Sequence, residues 1–344
     1  MTELRIPDRL LEPTTERASP VLTDAIGRRF EYLRLSLTDV CNFRCTYCLP
    51  DGYRKVAGRA PDLSLDEIRC AVTAFARLGL WKVRLTGGEP TLRPDFTSVA
   101  KAVAAVPGIR RVAMTTNGYR LAERAAEWRD AGISAINISV DSLDPARFAS
   151  ITGHDRLEEV LRGVAAAKAA GFDSIKLNAV LMRGVNDDEL AAMVAFVQDH
   201  DLSLRFIEVM RTNDNAAFFR ERHVAGQSVI ARLEAAGWTR IARAVGAGPA
   251  VEYAHPDASG RIGIIAPYAR DFCASCNRLR LSSDGKLHLC LFGDGGLDLR
   301  PLLQEGAEAA LSERIAALTA TKAPAHRLHQ GSSGATPHLA SIGG

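Results

Sequence analysis

The sequence predicts an α/β protein, a partial (βα)6 TIM-like barrel followed by a smaller C-terminal domain built around cysteines. Two observations predict the barrel. Short β-rich runs recur at residues 32–37, 82–86, 111–116, 135–140, 174–180 and 203–208, with helical stretches between them. The intervening stretches carry apolar residues at three- and four-residue spacing, such as Leu65, Ile68, Val72 and Phe75, or Leu157, Val160, Leu161 and Val164. Strands alternating with helices form a parallel sheet, and right-handed crossovers curl it so that functional residues gather at the carboxyl ends of strands. A third observation predicts the second domain: after about residue 245 this periodicity stops and a new cysteine pair follows at Cys273 and Cys276. The chain then divides into an N-terminal extension (1–26), the barrel (27–245), a C-terminal domain (246–322) and a flexible tail (323–344) rich in Ala, Pro, His, Gly and Ser.

Element by element, the first strand precedes a cysteine-rich loop, and Ser64-Leu-Asp-Glu67 then opens a helix with a capping box. Cys70, inside that helix, reads as an ordinary helix residue. The second strand ends in Thr86-Gly-Gly-Glu-Pro90. Far downstream, Asp284-Gly285 between alternating segments signals a hairpin that would fold Cys290 back toward Cys276.

Parity within the strands shows what the barrel encloses. Leu33, Leu35 and Leu37 share one face and Arg34 and Ser36 the other; Val83 and Leu85 oppose Arg84 and Thr86. Ile136 and Ile138 oppose Asn137 and Ser139, Ile175 and Leu177 oppose Lys176 and Asn178, and Leu204 and Phe206 oppose Arg205. A closed barrel fills its interior with branched apolar side chains. An inner face carrying Arg34, Arg84, Lys176 and Arg205 belongs to an open barrel that holds an anion, or that pairs these cations with internal carboxylates such as Glu89 and Glu208.

With 344 residues and 47% hydrophobic content, the chain can bury a substantial core. A formal net charge of only +3 argues against a nucleic-acid binder driven by bulk charge. Charged residues interrupt the first twenty positions, and no run of eighteen uncharged apolar residues occurs, so a soluble, cytoplasmic protein without membrane attachment is expected. Six of the seven cysteines fall into two ligand-spaced triads, which suits a reducing compartment better than a disulfide framework.

The first triad, Cys41, Cys45 and Cys48, has C-x3-C-x2-C spacing. Three thiolates leave one iron of a four-iron cluster open to an outside molecule, as a reactive cluster requires. At this motif the chain resembles the radical S-adenosylmethionine enzymes. A structural zinc site is the alternative, although zinc usually takes four closed ligands in paired C-x2-C halves. The second triad, Cys273, Cys276 and Cys290, is also one thiolate short; a Cys3His zinc ribbon using His288 is its alternative. Gly87 and Gly88 would let a backbone approach a ligand, and Glu89 could accept from an ammonium group. Radical S-adenosylmethionine enzymes carry such a segment for the methionine amino group.

Taken together, residues 34–48, the run Arg84-Leu-Thr-Gly-Gly-Glu-Pro90, the run Cys273-Ala-Ser-Cys-Asn-Arg-Leu-Arg280 and the terminal Gly343-Gly344 resemble the GTP 3′,8-cyclase family of molybdenum cofactor biosynthesis. The resemblance spans roughly residues 30–344. It implies a partial barrel of the radical SAM type with a C-terminal cluster-binding domain. It also implies two 4Fe-4S clusters, on Cys41, Cys45 and Cys48 and on Cys273, Cys276 and Cys290, with S-adenosylmethionine as cofactor. The first cluster would generate a 5′-deoxyadenosyl radical that removes the ribose 3′ hydrogen of GTP. The carbon radical would attack C8 of guanine, giving 3′,8-cyclo-7,8-dihydro-GTP after one further reduction, while the second cluster holds the guanine.

By matching positions, the resemblance assigns S-adenosylmethionine to Tyr47, Gly87, Gly88, Glu89, Ser139 and Met210. It assigns GTP to Arg34, Arg84, Thr115, Lys176, Arg205 and the run Arg278, Leu279 and Arg280. Arg278, Arg280, Gly343 and Gly344 are expected to act within the active site. The implied partners are a reductant protein such as flavodoxin or ferredoxin, a second copy in a homodimer and, downstream, cyclic pyranopterin monophosphate synthase. The sequence after Met210, Arg211-Thr-Asn-Asp-Asn-Ala-Ala-Phe218, lacks the Gly and Trp expected there. Two other readings remain: another two-cluster radical SAM enzyme such as a peptide maturase, and a zinc-stabilised nucleic-acid module with Arg278 and Arg280 on phosphates.

Overall fold

The computed structural model describes residues 21–244, 246–335 and 339–343. Its centre is a parallel run of β1 (Tyr32–Ser36), β2 (Lys82–Thr86), β3 (Arg111–Thr116), β4 (Ile133–Ser139), β5 (Ser174–Leu181) and β6 (Ser203–Glu208), adjacent in sequence order. The six strands coincide with the expected β-rich runs to within a residue or two at their ends. Between them lie α1 (Leu65–Arg77), α2 (Phe96–Ala104), α3 (Leu121–Asp130), α4 (Pro145–Thr152), α5 (Leu157–Ala169) and α6 (Leu190–Gln198). In α1 the capping box forms: Ser64 Oγ accepts from Glu67 N at 3.1 Å and Glu67 Oε2 from Ser64 N at 2.7 Å. Ile68, Val72 and Phe75 are buried on its inner face, as the spacing requires.

Strands from the C-terminal part extend this sheet on both sides. After α7 (Ala216–Arg222), α8 (Gly226–Ala235) and β7 (Thr239–Arg240), the chain forms β8 (Val251–Ala254) and β9 (Arg261–Ile265), and β9 pairs parallel with β6. At the other side β10 (Arg278–Leu281) pairs parallel with β1, then runs antiparallel to β11 (Lys286–His288), which leads to β12 (Leu297–Asp298). The β10–β11 turn contains Gly285 at φ 88°, as the Asp-Gly signal requires. Strands from both sides of residue 245 therefore share one 12-stranded sheet of order β12-β11-β10-β1-β2-β3-β4-β5-β6-β9-β8-β7. The five-residue β9 escapes a periodicity reading because Gly263 interrupts its apolar run. Finally, α9 (Glu308–Ala320) packs on α1, with Ser312 Oγ donating to Ala74 O at 3.0 Å.

The expected flexible tail is packed in its described residues. Leu328 and Ile342 are buried against Leu291 and Phe292, and residues Leu339–Ile342 form a 3-10 turn. Composition missed this because the tail's partners lie outside it, some nearly three hundred positions away: Arg28 donates to Ala323 O and Pro324 O, both at 2.7 Å. Gly344 lies outside the described residues.

Candidate active site

Strand parity carries through to the cavity. Leu33, Leu35, Val83, Leu85, Ile136, Ile138 and Leu204 are buried in the core between sheet and helices. Their alternates Arg34, Arg84, Asn137, Lys176, Asn178 and Arg205 line a cavity of about 520 Å³. Leu279, grouped with the GTP contacts, has the wrong parity: it is paired with Leu33 and wholly buried in the core, so its side chain does not reach the cavity.

Register concentrates charge on one wall. Arg34 lies between Arg280 on β10 and Arg84 on β2, and one level away Tyr32 lies between Arg278 and Lys82. Like charges directly opposite each other are destabilising unless an anion or dipole answers them. Here Arg34 Nε donates to Gly343 O at 2.8 Å and Arg280 Nη1 to the same oxygen at 3.0 Å. Arg84 Nε donates to Tyr32 Oη at 2.5 Å, and Nη1 to Met114 O at 2.7 Å. Burial alone would raise the Tyr32 phenol, but Arg84, Arg34 and Lys82 outweigh it and hold it down to about 6. Burial pushes Arg34 down to about 10 and Lys82 and Lys176 each to about 8. Arg278 lies over the Phe272 ring.

The internal carboxylates considered from sequence do not pair with these cations. Glu89, 1% exposed, accepts from Thr91 N, Thr91 Oγ1, Thr116 Oγ1 and Asn117 N at 2.6 to 3.1 Å. It is turned into the protein and is absent from the cavity wall, which corrects the expectation that its carboxylate faces an ammonium group. Glu208 lies 2.7 Å from His223. A carboxylate that does pair with two of them is Glu252, whose Oε1 is 3.2 Å from Lys176 Nζ and 3.0 Å from Arg205 Nη2.

At the carboxyl ends of the strands a second cavity, about 190 Å³, is lined by Cys41, Cys45 and Cys48 together with Tyr47, Gly87, Gly88, Ser139 and Met210. The two glycines are required by the neighbouring loop: a Cβ on Gly87 would lie 2.2 Å from Thr38 O, and one on Gly88 2.3 Å from Val40 O. This close approach lets Gly88 N and Glu89 N donate to Thr38 O and Val40 O at 2.9 and 2.8 Å, locking the cysteine loop to the end of β2. Asp141 also lines this cavity, accepts from Tyr47 Oη at 2.9 Å and from Val180 N at 2.8 Å, and is pushed up to about 6 by burial. Met210 leads into a turn in which Asn215 Nδ2 donates to Met210 O and Asn215 Oδ1 accepts from Thr212 N. The Asn215 side chain thus closes the loop that follows Met210.

Cys273, Cys276 and Cys290 line the larger cavity, brought together by the β10–β11 hairpin. His288, the alternative fourth ligand, is not among its lining residues. Thr115, Asn178, Ile207 and Met210 line both cavities, so the spaces beside the two triads adjoin along a shared wall.

Each triad fits a cluster by the chemistry of its donors: three thiols, none in a disulfide, around a space rather than a closed four-ligand set. Their electrostatics differ. Burial pushes Cys41 up to about 12 and Cys48 to about 11, so ionised ligands there require the charge of a bound metal. Burial also works against Cys276, but Arg278, Lys322 and Arg28 bring it down to about 7. Behind it, the buried Arg28 donates to Cys273 O at 3.0 Å as well as to the tail.

Sequence reasoning missed Tyr32, Lys82, Asp141, Glu252 and Arg28. Tyr32 and Lys82 were accessible through the parity rule, since they share faces with Arg34 and Arg84. Asp141 had the weaker signal of an acid just beyond a barrel strand.

Comparison with known proteins agrees with this geometry. Residues 35–197 match the Radical SAM superfamily, and residues 202–328 match Molybdenum Cofactor Synthesis C. The chain is similar to the GTP 3′,8-cyclase of Aeromonas hydrophila subsp. hydrophila, 57% identical over 94% of this chain and 96% of that one. It is likewise 57% identical to the GTP 3′,8-cyclase of Stenotrophomonas maltophilia over 94% of this chain and 99% of the relative. Among solved structures, Streptococcus suis SuiB bound to S-adenosylmethionine superposes with a TM-score of 0.60 over 85% of this chain and 68% of that one, at 11% identity, which speaks to the fold alone. With more than half of its residues shared along nearly the whole length of these relatives, the chain belongs to the GTP 3′,8-cyclase family.

Proposed function

We propose that the two triads and the cations between them divide one reaction, the conversion of GTP to 3′,8-cyclo-7,8-dihydro-GTP by a radical SAM GTP 3′,8-cyclase, the first step of molybdenum cofactor biosynthesis. The observation that carries this reading is the pair of adjoining cavities, each lined by one thiol triad, with two in-register rows of cations on the wall of the larger. Neither a nucleic-acid module nor a peptide maturase requires cations buried at that density, and a triphosphate does.

Cys41, Cys45 and Cys48 hold the first 4Fe-4S cluster, and Cys273, Cys276 and Cys290 the second. When bound, S-adenosylmethionine and the clusters supply one-electron chemistry: hydrogen abstraction from the ribose and an electron that completes the cyclised product. Tyr47, Gly88, Ser139 and Met210 flank the space beside the first triad and hold the S-adenosylmethionine there, with Asp141 fixing the Tyr47 hydroxyl. Arg34, Arg84, Lys176, Arg205, Arg278 and Arg280 bind the triphosphate, and Thr115, on the wall common to both cavities, orients the nucleoside between the clusters. Leu339 and Ala340 line the first cavity and exclude water from it.

The electron source is a reductant protein such as flavodoxin or ferredoxin, the product passes to cyclic pyranopterin monophosphate synthase, and the chain works as a homodimer. No helix among the described residues is long and apolar enough to cross a membrane, in keeping with a cytoplasmic enzyme.

Anaerobic incubation of the two-cluster protein with S-adenosylmethionine, a reductant and GTP tests the reading. The expected products are 5′-deoxyadenosine and a nucleotide isomeric with GTP, equal to it in mass and separated from it by chromatography. Cleavage of S-adenosylmethionine without any cyclised nucleotide, with both clusters loaded, would overturn it.

A further inference from the structure

Among the described residues lining the larger cavity only Glu252 and Asp294 are acidic, and Asp294 pairs with Arg327 in an exposed bridge. Glu252 is different, because it engages two inward-facing cations at once. Both contacts fall on Oε1, and among the described residues Oε2 takes no hydrogen bond.

The sheet is built to allow this contact. Arg205 on β6 is in register with Gly263 on β9, and Gly263 is in register with Glu252 on β8. A Cβ on Gly263 would lie 2.9 Å from Arg205 Cγ. The missing side chain lets Arg205 lie across β9 and reach a carboxylate two strands away. Burial disfavours ionised Glu252, yet Lys176 and Arg205 outweigh it and hold its carboxyl below the ordinary range.

Elsewhere on the wall Arg34 and Arg280 donate to the Gly343 carbonyl, and Lys82 donates to the Gly246 carbonyl at 3.1 Å. Lys176 and Arg205 share one half-buried carboxylate. A carboxylate and a phosphate oxygen make the same charge-assisted contacts to an ammonium and a guanidinium fork.

We propose that Glu252 is a specificity-determining residue, an internal stand-in for a phosphate that a nucleotide must displace from Lys176 and Arg205. This rests on the reading that the cavity binds GTP. A ligand that brings a phosphate to this pair replaces the carboxylate contacts with equivalent ones, while the displaced Glu252 turns into the wet cavity. A ligand without phosphates leaves Glu252 in place. The carboxylate thus makes the pair unattractive to weak anions and holds both side chains extended for the polyphosphate.

The stand-in and a plain scaffold predict opposite signs. If Glu252 competes with phosphate, Glu252→Gln keeps the shape, removes the charge and tightens GTP binding. If it only props up Lys176 and Arg205, the same substitution loosens GTP. The experiment is equilibrium binding of GTP and of guanosine to the anaerobic two-cluster protein without reductant, with iron content and thermal midpoint verifying the variant's integrity. The expected result is a roughly tenfold lower Kd for GTP in Glu252→Gln, the scale of one charge-assisted contact, with guanosine unchanged. Glu252→Ala should also tighten GTP, which covers a Gln variant that misfolds.

Unchanged or weaker GTP binding in both variants would overturn the inference while leaving the proposed function intact. A wild-type protein that binds guanosine and GTP equally would overturn the GTP-cavity reading itself, and the inference with it.

Discussion

The carbonyl oxygen of Gly343 sits 2.8 Å from Arg34 Nε, joining residues 309 positions apart on the inner wall of the barrel. Gly343 has φ +64°, and a Cβ there would lie 2.2 Å from Thr86 Cγ2. Only glycine accepts both the left-handed backbone and the contact. The tail end therefore supplies the dipole that lets Arg34 and Arg280 lie side by side.

Gly343→Ala should unseat the tail and cut cyclisation by roughly tenfold or more, since left-handed strain alone costs about 1–2 kcal/mol and the clash adds to it. Thermal unfolding should move little, because the core lies elsewhere. Adding Thr86→Ser, which removes the clashing methyl, should recover part of the lost turnover. Full activity in Gly343→Ala would refute the seated tail.

The division between the triads predicts different failures. Cys45→Ser should abolish reductive cleavage of S-adenosylmethionine, whereas Cys276→Ser should retain some uncoupled cleavage without cyclised nucleotide. Parallel measurement of 5′-deoxyadenosine and product separates the two, and equal loss of cleavage in both variants would sink the assignment.

Arg28 pairs with its neighbour Asp24 at 2.6 Å and ties in two distant segments, through Cys273 O at 3.0 Å and the carbonyls of Ala323 and Pro324 at 2.7 Å. Arg28→Ala leaves Asp24, buried and ion-paired in the wild type, without its cation, at a cost of about 3–5 kcal/mol. It should also loosen the second triad, so that iron and sulfide per chain fall toward half while the first cluster's electron paramagnetic resonance signal persists. Loss of both clusters together would argue for global unfolding instead.

Tyr32 is held down to about 6 against an ordinary 10.0. A folded value below the unfolded one adds stability that is complete above the unfolded value and disappears as pH falls through the folded one. Denaturant titrations of wild type and Tyr32→Phe should therefore diverge as pH rises from about 6 toward 10.0, with the wild type gaining. A pH-independent difference would mean that the Tyr32 hydroxyl stays protonated beside Arg84.

Glu89 accepts four hydrogen bonds inside the protein. Glu89→Ala strands those donors and should destabilise by about 3–5 kcal/mol, as for other buried charged acceptors. Urea unfolding monitored by circular dichroism measures this. A variant of wild-type stability that fails only to bind S-adenosylmethionine would return Glu89 to the cavity wall.

The sequence by itself determined the six strands, the helices between them, the two thiol triads and the inward direction of Arg34, Arg84, Lys176 and Arg205. All of these are local properties: side-chain alternation has a period of two, helix faces a period near 3.6, and ligand spacing is read within a few residues. The same rule contained Tyr32 and Lys82, one pleat away from residues already singled out. Tertiary structure alone decided the partners. Glu252 meets Arg205 only because β9 inserts beside β6 and offers Gly263 between them, and Glu89 turns inward only because the cysteine loop lies against Gly87 and Gly88. The tail looked disordered by composition, yet it packs because Arg28, Arg34 and Arg280 reach it from distant segments. Which charge answers which depends on contacts from tens to hundreds of residues apart, and no local period encodes such distances.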